Sequence, residues 1–283
     1  MIVAYNNEFD KRKLFFMRII DAHLHFWPGE PYFDEIARNA GHKNTEVHLH
    51  CEYEKLGIVA GIVMGNRGLS LEAHQYPNFL RYCIGLDQDK LKTPEDIDLV
   101  ESHLQRDICT GIKLYPGYHP FYITDSVFEP VYALAEKYRK PVAIHMGVTA
   151  GNNALLKYTH PLTLDEAAVK HPNVQFVMCH FGNPWLADAA AVTAKNDNVA
   201  ADLSGLLEGH TDLPKLMEEQ KGYFDFLRTW IAYTGHYERF LFGTDWPLAN
   251  LKEYIDLTLQ LIPSSHWDEV FFANANRIYH LGL

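Results

Sequence analysis

Short apolar runs alternate with longer amphipathic stretches along almost the whole chain, and no other feature of the sequence limits the fold as tightly. The runs lie at 18–22, 58–64, 81–86, 111–115, 141–145, 174–179, 199–203 and 239–243. They are apolar throughout rather than alternating with polar residues, the pattern of strands covered on both faces. Stretches with the length and spacing of helices separate them, at 45–56, 93–106, 125–138, 162–170, 184–195, 213–233 and 248–261. Thr93 ahead of Pro94, and Asp125, supply helix-start signals. The connection at 69–76 is short and poorly periodic, and a final helix is expected at 265–280. Eight such units predict an α/β fold, a (β/α)8 TIM barrel in one domain over 17–283 with an extra C-terminal helix. Residues 1–16 read as an N-terminal extension outside the barrel; they lack the cationic start and long apolar core of a signal peptide. The connection 28–43, rich in Gly, Pro and aromatic residues, reads as a loop over the site.

Composition narrows the class of partner. A formal charge of −11, with no basic run beyond Lys11-Arg12-Lys13, argues against a nucleic-acid surface. No apolar run approaches the roughly 20 residues of a membrane span. Cys51, Cys83, Cys109 and Cys179 sit in separate segments without CxxC spacing, as expected of reduced thiols in a cytoplasmic protein. The expected partner is a small-molecule substrate. A homo-oligomer stays open, because the apolar stretch 225–233 could pack internally or against a second copy.

The ends of the runs carry the chemistry. His23 and His25 close IIDAHLH, His145 closes PVAIH, His180 closes VQFVMCH, and Asp245 closes FLFGTD. The chain holds 16 histidines, so one histidine after a strand means little. Several at strand ends mean more, because a parallel barrel gathers those ends into one active-site face. Residues two apart in a strand point the same way, so His23 and His25 can serve one ion while Leu24 faces away. Imidazole nitrogens and a carboxylate are the donor set of Zn²⁺ and related divalent metals, with Mn²⁺ and Fe²⁺ also open. His48-Leu49-His50 is a second HxH, but it falls in a predicted helix, where residues two apart diverge; it is expected at the surface.

At these residues the chain resembles the amidohydrolase superfamily of metal-dependent (β/α)8-barrel enzymes. DAHLHFW looks like its first-strand HxH, GIKLYPGYHP its fourth-strand segment and PVAIHMG its fifth-strand histidine. VMCHFGNP looks like the sixth-strand histidine, FGTDWP the eighth-strand aspartate, and FFANANRIYHL the closing stretch. The pattern is similar to the branch containing aromatic-acid decarboxylases, lactonases and small hydrolases. HFW and FGTDWP lean towards lactonase-like members, and GIKLYPGY towards the decarboxylase and hydrolase group.

The resemblance implies that His23, His25, His145 and Asp245 hold one metal. Asp245 would also accept a proton from a metal-activated water, and His180 would work beside the ion as a catalytic neighbour. Lys113 is ambiguous: in some binuclear members a carboxylated lysine at this strand bridges two metals. Without that bridge it is a strand-end lysine at the pocket. Loop residues expected at the substrate are Trp27, Arg67, Tyr115, Asn183 and Trp246, with Tyr118, His119, Trp185 and Ser204 nearby. The Arg67 fork suits a carboxylate or phosphate. The expected activity is hydrolysis of an ester, lactone or amide of a small organic acid. The alternative is non-hydrolytic decarboxylation of an aromatic or unsaturated acid, which uses the same ligands.

Overall fold

The apolar runs form strands in a computed structural model that describes residues 17–283; the expected extension 1–16 lies outside the described residues. The strands are β1 (Ile19–Leu24), β2 (Ile58–Met64), β3 (Leu80–Leu86), β4 (Cys109–Leu114), β5 (Val142–Ile144), β6 (Phe176–Met178), β7 (Val199–Asp202) and β8 (Phe240–Leu241). They pair in chain order as one eight-stranded parallel sheet. The Ala22 amide donates to Phe242 O at 2.9 Å and the His25 amide to Trp246 O at 2.6 Å, so β8 returns to β1 and closes a barrel.

The helices are α1 (Pro31–Asn39), α2 (Glu46–Leu56), α3 (Pro94–Leu104), α4 (Glu129–Tyr138), α5 (Pro161–Lys170), α6 (Leu186–Lys195), α7 (Leu213–Glu219), α8 (Lys221–Thr234), α9 (Leu251–Leu261) and α10 (Asn274–Ile278). Local chemistry sets their ends. Thr93 and Asp96 exchange hydrogen bonds as a capping box at α3, and Gly57 ends α2 at a φ of 74°, a conformation glycine adopts without penalty. None of the described helices is long and apolar enough to cross a membrane.

Two buried layers hold the barrel together. Ile20, Ala22, Ile62, Met64, Val177 and Leu241 belong to an inner cluster that Ala275, Ile278 and Tyr279 join from the C-terminal segment. Ile19, Leu24, Val63, Ile112, Val142 and Phe176 belong to the larger cluster beneath the helices. Strict alternation from Ile20 and Ala22 would turn Leu24 inward, yet Leu24 packs in the outer cluster. The β1–β2 register slips between Asp21 and Leu24, and this irregularity reverses the parity. His23 and His25 thereby face the barrel mouth.

Some elements depart from expectation. The stretch 28–43 is not all loop: α1 occupies its middle, with Pro31 at the first turn and Glu30 Oε2 accepting the Phe33 amide at 3.1 Å. Proline there needs no amide partner, so it starts a helix instead of breaking one. The helix expected over 213–233 divides at Gln220 into α7 and α8. The terminal helix is interrupted by a π-turn at Glu269–Ala273 before α10. β5, β6 and β8 are shorter than their apolar runs and lose residues at both ends.

Candidate metal centre

The slip in β1 brings His23 and His25 to the mouth, and the turn after β8 brings Asp245 to meet them. Asp245 Oδ1 lies 3.4 Å from His23 Nε2 and 3.3 Å from His25 Nε2. The other nitrogen of each ring is committed: His23 Nδ1 lies 2.8 Å from Asp202 Oδ2, and His25 Nδ1 3.2 Å from the Met64 carbonyl oxygen. A carboxylate and a carbonyl only accept, so each Nδ1 carries the proton and each Nε2 presents a lone pair. Three acceptor atoms thus face one another, and Asp245 Oδ1 is buried with no hydrogen-bond partner. Such an arrangement is costly unless a cation sits among the lone pairs. His145 Nε2 is likewise buried without a partner. The donor set fits a divalent metal.

Ligand atoms of His23, His25 and Asp245 lie within 4.8 Å of one another, and so do those of His23, His180 and Asp202. His145 belongs to neither group; its Nδ1 lies 3.1 Å from His180 Nε2. Backbone geometry explains how these side chains come so close. Asp245 adopts a φ of 56° and His180 one of 60°, the left-handed region that non-glycine residues seldom occupy. The Asp245 amide donates to His23 O at 2.8 Å, which fixes the turn to β1. Gly243 makes that approach feasible: a Cβ there would stand 2.8 Å from His23 Cβ.

Burial governs the titration of the site. It lowers the pKa of His23, and it lowers that of His145 well below the ordinary value, reinforced there by His180 and Lys113. It lowers His180 to about 4 against the opposing charges of Asp245 and Asp202. These rings are therefore neutral near pH 7, as metal ligands must be. Burial alone would raise Asp245 and Asp202. Against that, a proton on the neighbouring imidazoles, His25, His23 and His180 around Asp245 and His23 beside Asp202, favours the ionised carboxylate. Both carboxyls stay below the usual carboxylate range.

Two carboxylates at the site have no counterpart in the expected residue set. Asp202 binds His23 from β7. Asp21 is fully buried in β1 and accepts from Tyr53 Oη (2.9 Å), Thr244 Oγ1 (2.6 Å) and the Thr244 amide (2.9 Å), which staples β1 to the turn carrying Asp245. The signal for Asp202 was present, since a carboxylate interrupts the seventh apolar run, VAADL, near its end as Asp245 follows the eighth. Asp21 opens the DAHLH motif, but its inward or outward direction could not be read without the slip in β1.

The remaining expected residues are distributed as follows. Lys113 is fully buried and its Nζ donates to Cys179 Sγ at 2.8 Å. Tyr115 donates to Met64 O at 3.0 Å, with its ring 6.4 Å from that of His25. Arg67 donates to Ala73 O (2.8 Å) and Phe26 O (3.0 Å) and lies over the Trp27 ring, so both arms of its fork hold backbone. Asn183 follows the His180 turn, with Oδ1 buried and unpartnered. Trp246 is fully buried behind Asp245, against His42 at 4.8 Å. Tyr118 stands edge-on to His145 at 4.9 Å, and Phe33, from α1, stacks on His25 at 5.6 Å. Ser204 joins the His180 side, His119 lies near Asp87, and Trp185 packs on His160. His50 is exposed as expected, but His48 is not simply a surface residue, because its Nε2 meets His42 Nδ1 at 3.1 Å.

Asp87, Asp89 and His119 form another cluster, but Lys90 and Lys92 already pair with its carboxylates at 3.3 and 3.1 Å. A cavity of about 800 Å³ lined by Arg81, Thr110, Lys140 and Tyr279 lies at the opposite end of the barrel. It contains none of the converging ligands, and its Lys140 ammonium is bound by the carbonyls of Leu104, Arg106 and Cys109.

Comparison with solved structures places the chain among barrels of the same design. A probable 2-pyrone-4,6-dicarboxylic acid hydrolase from Acinetobacter baumannii superposes with a TM-score of 0.65 at 14% identity, covering 93% of this chain and 100% of that one. A 2,6-dihydroxybenzoate decarboxylase from Rhizobium gives 0.65 at 17% identity, covering 94% and 100%. An amidohydrolase from Burkholderia multivorans with bound zinc gives 0.65 at 17%, covering 93% and 99%. No curated protein matches the chain in sequence. At these identities the structures speak for the fold; the family rests on a sequence profile described as amidohydrolase that matches residues 20–281. The chain belongs to the amidohydrolase family.

Proposed function

We propose that this protein is a metal-dependent hydrolase that opens an ester, lactone or amide bond of a small organic acid. The observation that carries the reading is the convergence of the His23 and His25 Nε2 lone pairs on the unpartnered Asp245 Oδ1. His23, His25, His145 and Asp245 would hold one divalent ion, with Zn²⁺ favoured by the donor set and in keeping with the zinc in the Burkholderia relative. When bound, such an ion supplies Lewis-acid polarisation and lowers the pKa of a water. Asp245 takes the proton of the attacking water on its carboxylate and returns it to the leaving group. His180 lies against His145, and we assign it to holding that ring rather than to the substrate. Lys113 is engaged with Cys179, which favours one ion over a pair bridged by a carboxylated lysine. Phe33 and Tyr115 beside His25 and Tyr118 beside His145 provide aromatic walls.

A second reading is decarboxylation, in which Asp245 delivers its proton to carbon. The aromatic rings around His25 and His145 favour it, because they suit a flat unsaturated acid. Against it, the Arg67 fork is already engaged with backbone carbonyls and so is not free for a substrate carboxylate. The names of the structural relatives span both chemistries. The deciding experiment offers lactones, esters, amides and hydroxybenzoates to protein loaded with Zn²⁺ or Mn²⁺. Acid release without CO₂ is expected, and CO₂ release from a hydroxybenzoate alone would establish the second reading.

A further inference from the structure

One carboxylate touches both halves of the site. Asp202 Oδ2 lies 2.8 Å from His23 Nδ1. Asp202 Oδ1 accepts from Ser204 Oγ at 2.5 Å, from the His180 amide at 2.9 Å and from the Ser204 amide at 3.2 Å. Because the Ser204 hydroxyl gives its hydrogen to Asp202, its oxygen faces His180 Nδ1, 2.9 Å away, as an acceptor. His180 must then carry its proton on Nδ1 and leave Nε2 bare. That bare nitrogen lies 3.1 Å from His145 Nδ1, which must donate. The His145 proton is thereby fixed on Nδ1, and its Nε2 becomes the buried, unpartnered lone pair. The chain runs Asp202, Ser204, His180, His145, and each link fixes the direction of the next.

We propose that Asp202 is a positioning residue that sets the tautomers of His23, His180 and His145 together, so that His23 and His145 both offer Nε2 to the metal. The proposal rests on the metal-site reading above. Asp202 and Ser204 spend their side-chain oxygens on the rings and amides around them, so both act through the rings they orient. Partners of this kind fix a ligand's tautomer and raise its affinity for metal. The local backbone is built for it. Gly205 follows Ser204 at a φ of 68°, and a Cβ there would stand 2.7 Å from His180 Nδ1, so only glycine lets the ring reach the serine.

The test is nitrogen NMR of ¹⁵N-histidine-labelled, metal-free full chain near neutral pH. His23, His180 and His145 should each report a proton on Nδ1. A proton on Nε2 in any of the three would overturn the proposal, and this measurement needs no variant. Ser204→Ala should leave the His23 tautomer fixed while those of His180 and His145 become mixed; unchanged signals from both rings would contradict the relay. Asp202→Asn should free all three, because an amide offers one acceptor atom and one donor and cannot serve both sides. Competition with a zinc-chelating dye should show Zn²⁺ binding weakened about 10- to 100-fold in either variant. Undiminished affinity in both would remove Asp202 from metal positioning. These readouts do not depend on which substrate is turned over, so failure of the hydrolase assignment would leave them standing.

Discussion

Asp245 combines a left-handed backbone, a buried oxygen without a donor and contacts to two imidazoles, and each property follows from where the eighth run ends. On the proposed reading its carboxylate is both ligand and proton acceptor, whereas His23 is a ligand only. Asp245→Asn should therefore lower kcat by about 10²- to 10⁴-fold while costing less bound metal than His23→Ala. Steady-state kinetics beside elemental analysis would check this, and near-normal turnover in Asp245→Asn would remove it from the mechanism. At this scale the sequence was informative where a polar residue interrupts an apolar run, as at His145, His180 and Asp245. It was uninformative where a residue acts through a partner distant in the chain. Arg67 looked suited to an anion because guanidinium is, yet its fork closes on the carbonyls of Phe26 and Ala73. Which acceptor reaches a long side chain first depends on loop conformation, and no local spacing records that.

The end of β1 and the turn after β8 act as one unit through Asp21. Tyr53, from α2, donates to that buried carboxylate, so Tyr53→Phe removes one hydrogen bond to a charged group without opening a large cavity. A loss of about 1.5–3 kcal/mol in urea unfolding is expected, with metal content retained. Unchanged stability would mean that the Tyr53 hydrogen bond adds nothing to the Asp21 staple. A second element-scale property lies in the connection after β2. His74 is buried there, stacked on Tyr82 at 5.0 Å, 2.8 Å from Gly68 O through Nε2, and faced by His103, Arg67 and Arg106. Burial lowers its pKa from 6.5 to about 4 despite the Gly68 contact. Between those values the unfolded chain binds a proton that the folded chain refuses. The associated stability is present above pH 6.5 and is lost as pH falls towards 4. His74→Phe should flatten the pH dependence of the urea midpoint in that window; an equally steep dependence would assign the acid sensitivity elsewhere. Strand and helix periods were legible because burial imposes them. The slip in β1, the helix started by Pro31 and the π-turn before α10 were not, since each is decided by packing against a distant segment.

For the whole molecule, eight short apolar runs sufficed to predict a closed barrel, because parallel strands buried on both faces have few other arrangements. The barrel gathers residues from distant parts of the chain at one mouth, so the convergence of these strand-end side chains was legible once the strands were. The hydrogen bonds that aim those rings became visible only with the side chains in place. Folding in this scheme sets lone pair against lone pair at the centre, and a cation relieves that conflict. Metal should therefore stabilise the fold, by about 2.7 kcal/mol at a free concentration 100 times the Kd. Chelation should lower the melting temperature and abolish turnover, and added Zn²⁺ should restore both. The decisive measurement is the metal stoichiometry of the purified, Zn²⁺-reconstituted chain beside His23→Ala and His145→Ala. One ion per wild-type chain, lost from both variants, is the predicted result; two ions per chain, or one that survives both substitutions, would contradict the assignment of His23, His25, His145 and Asp245 to a single metal.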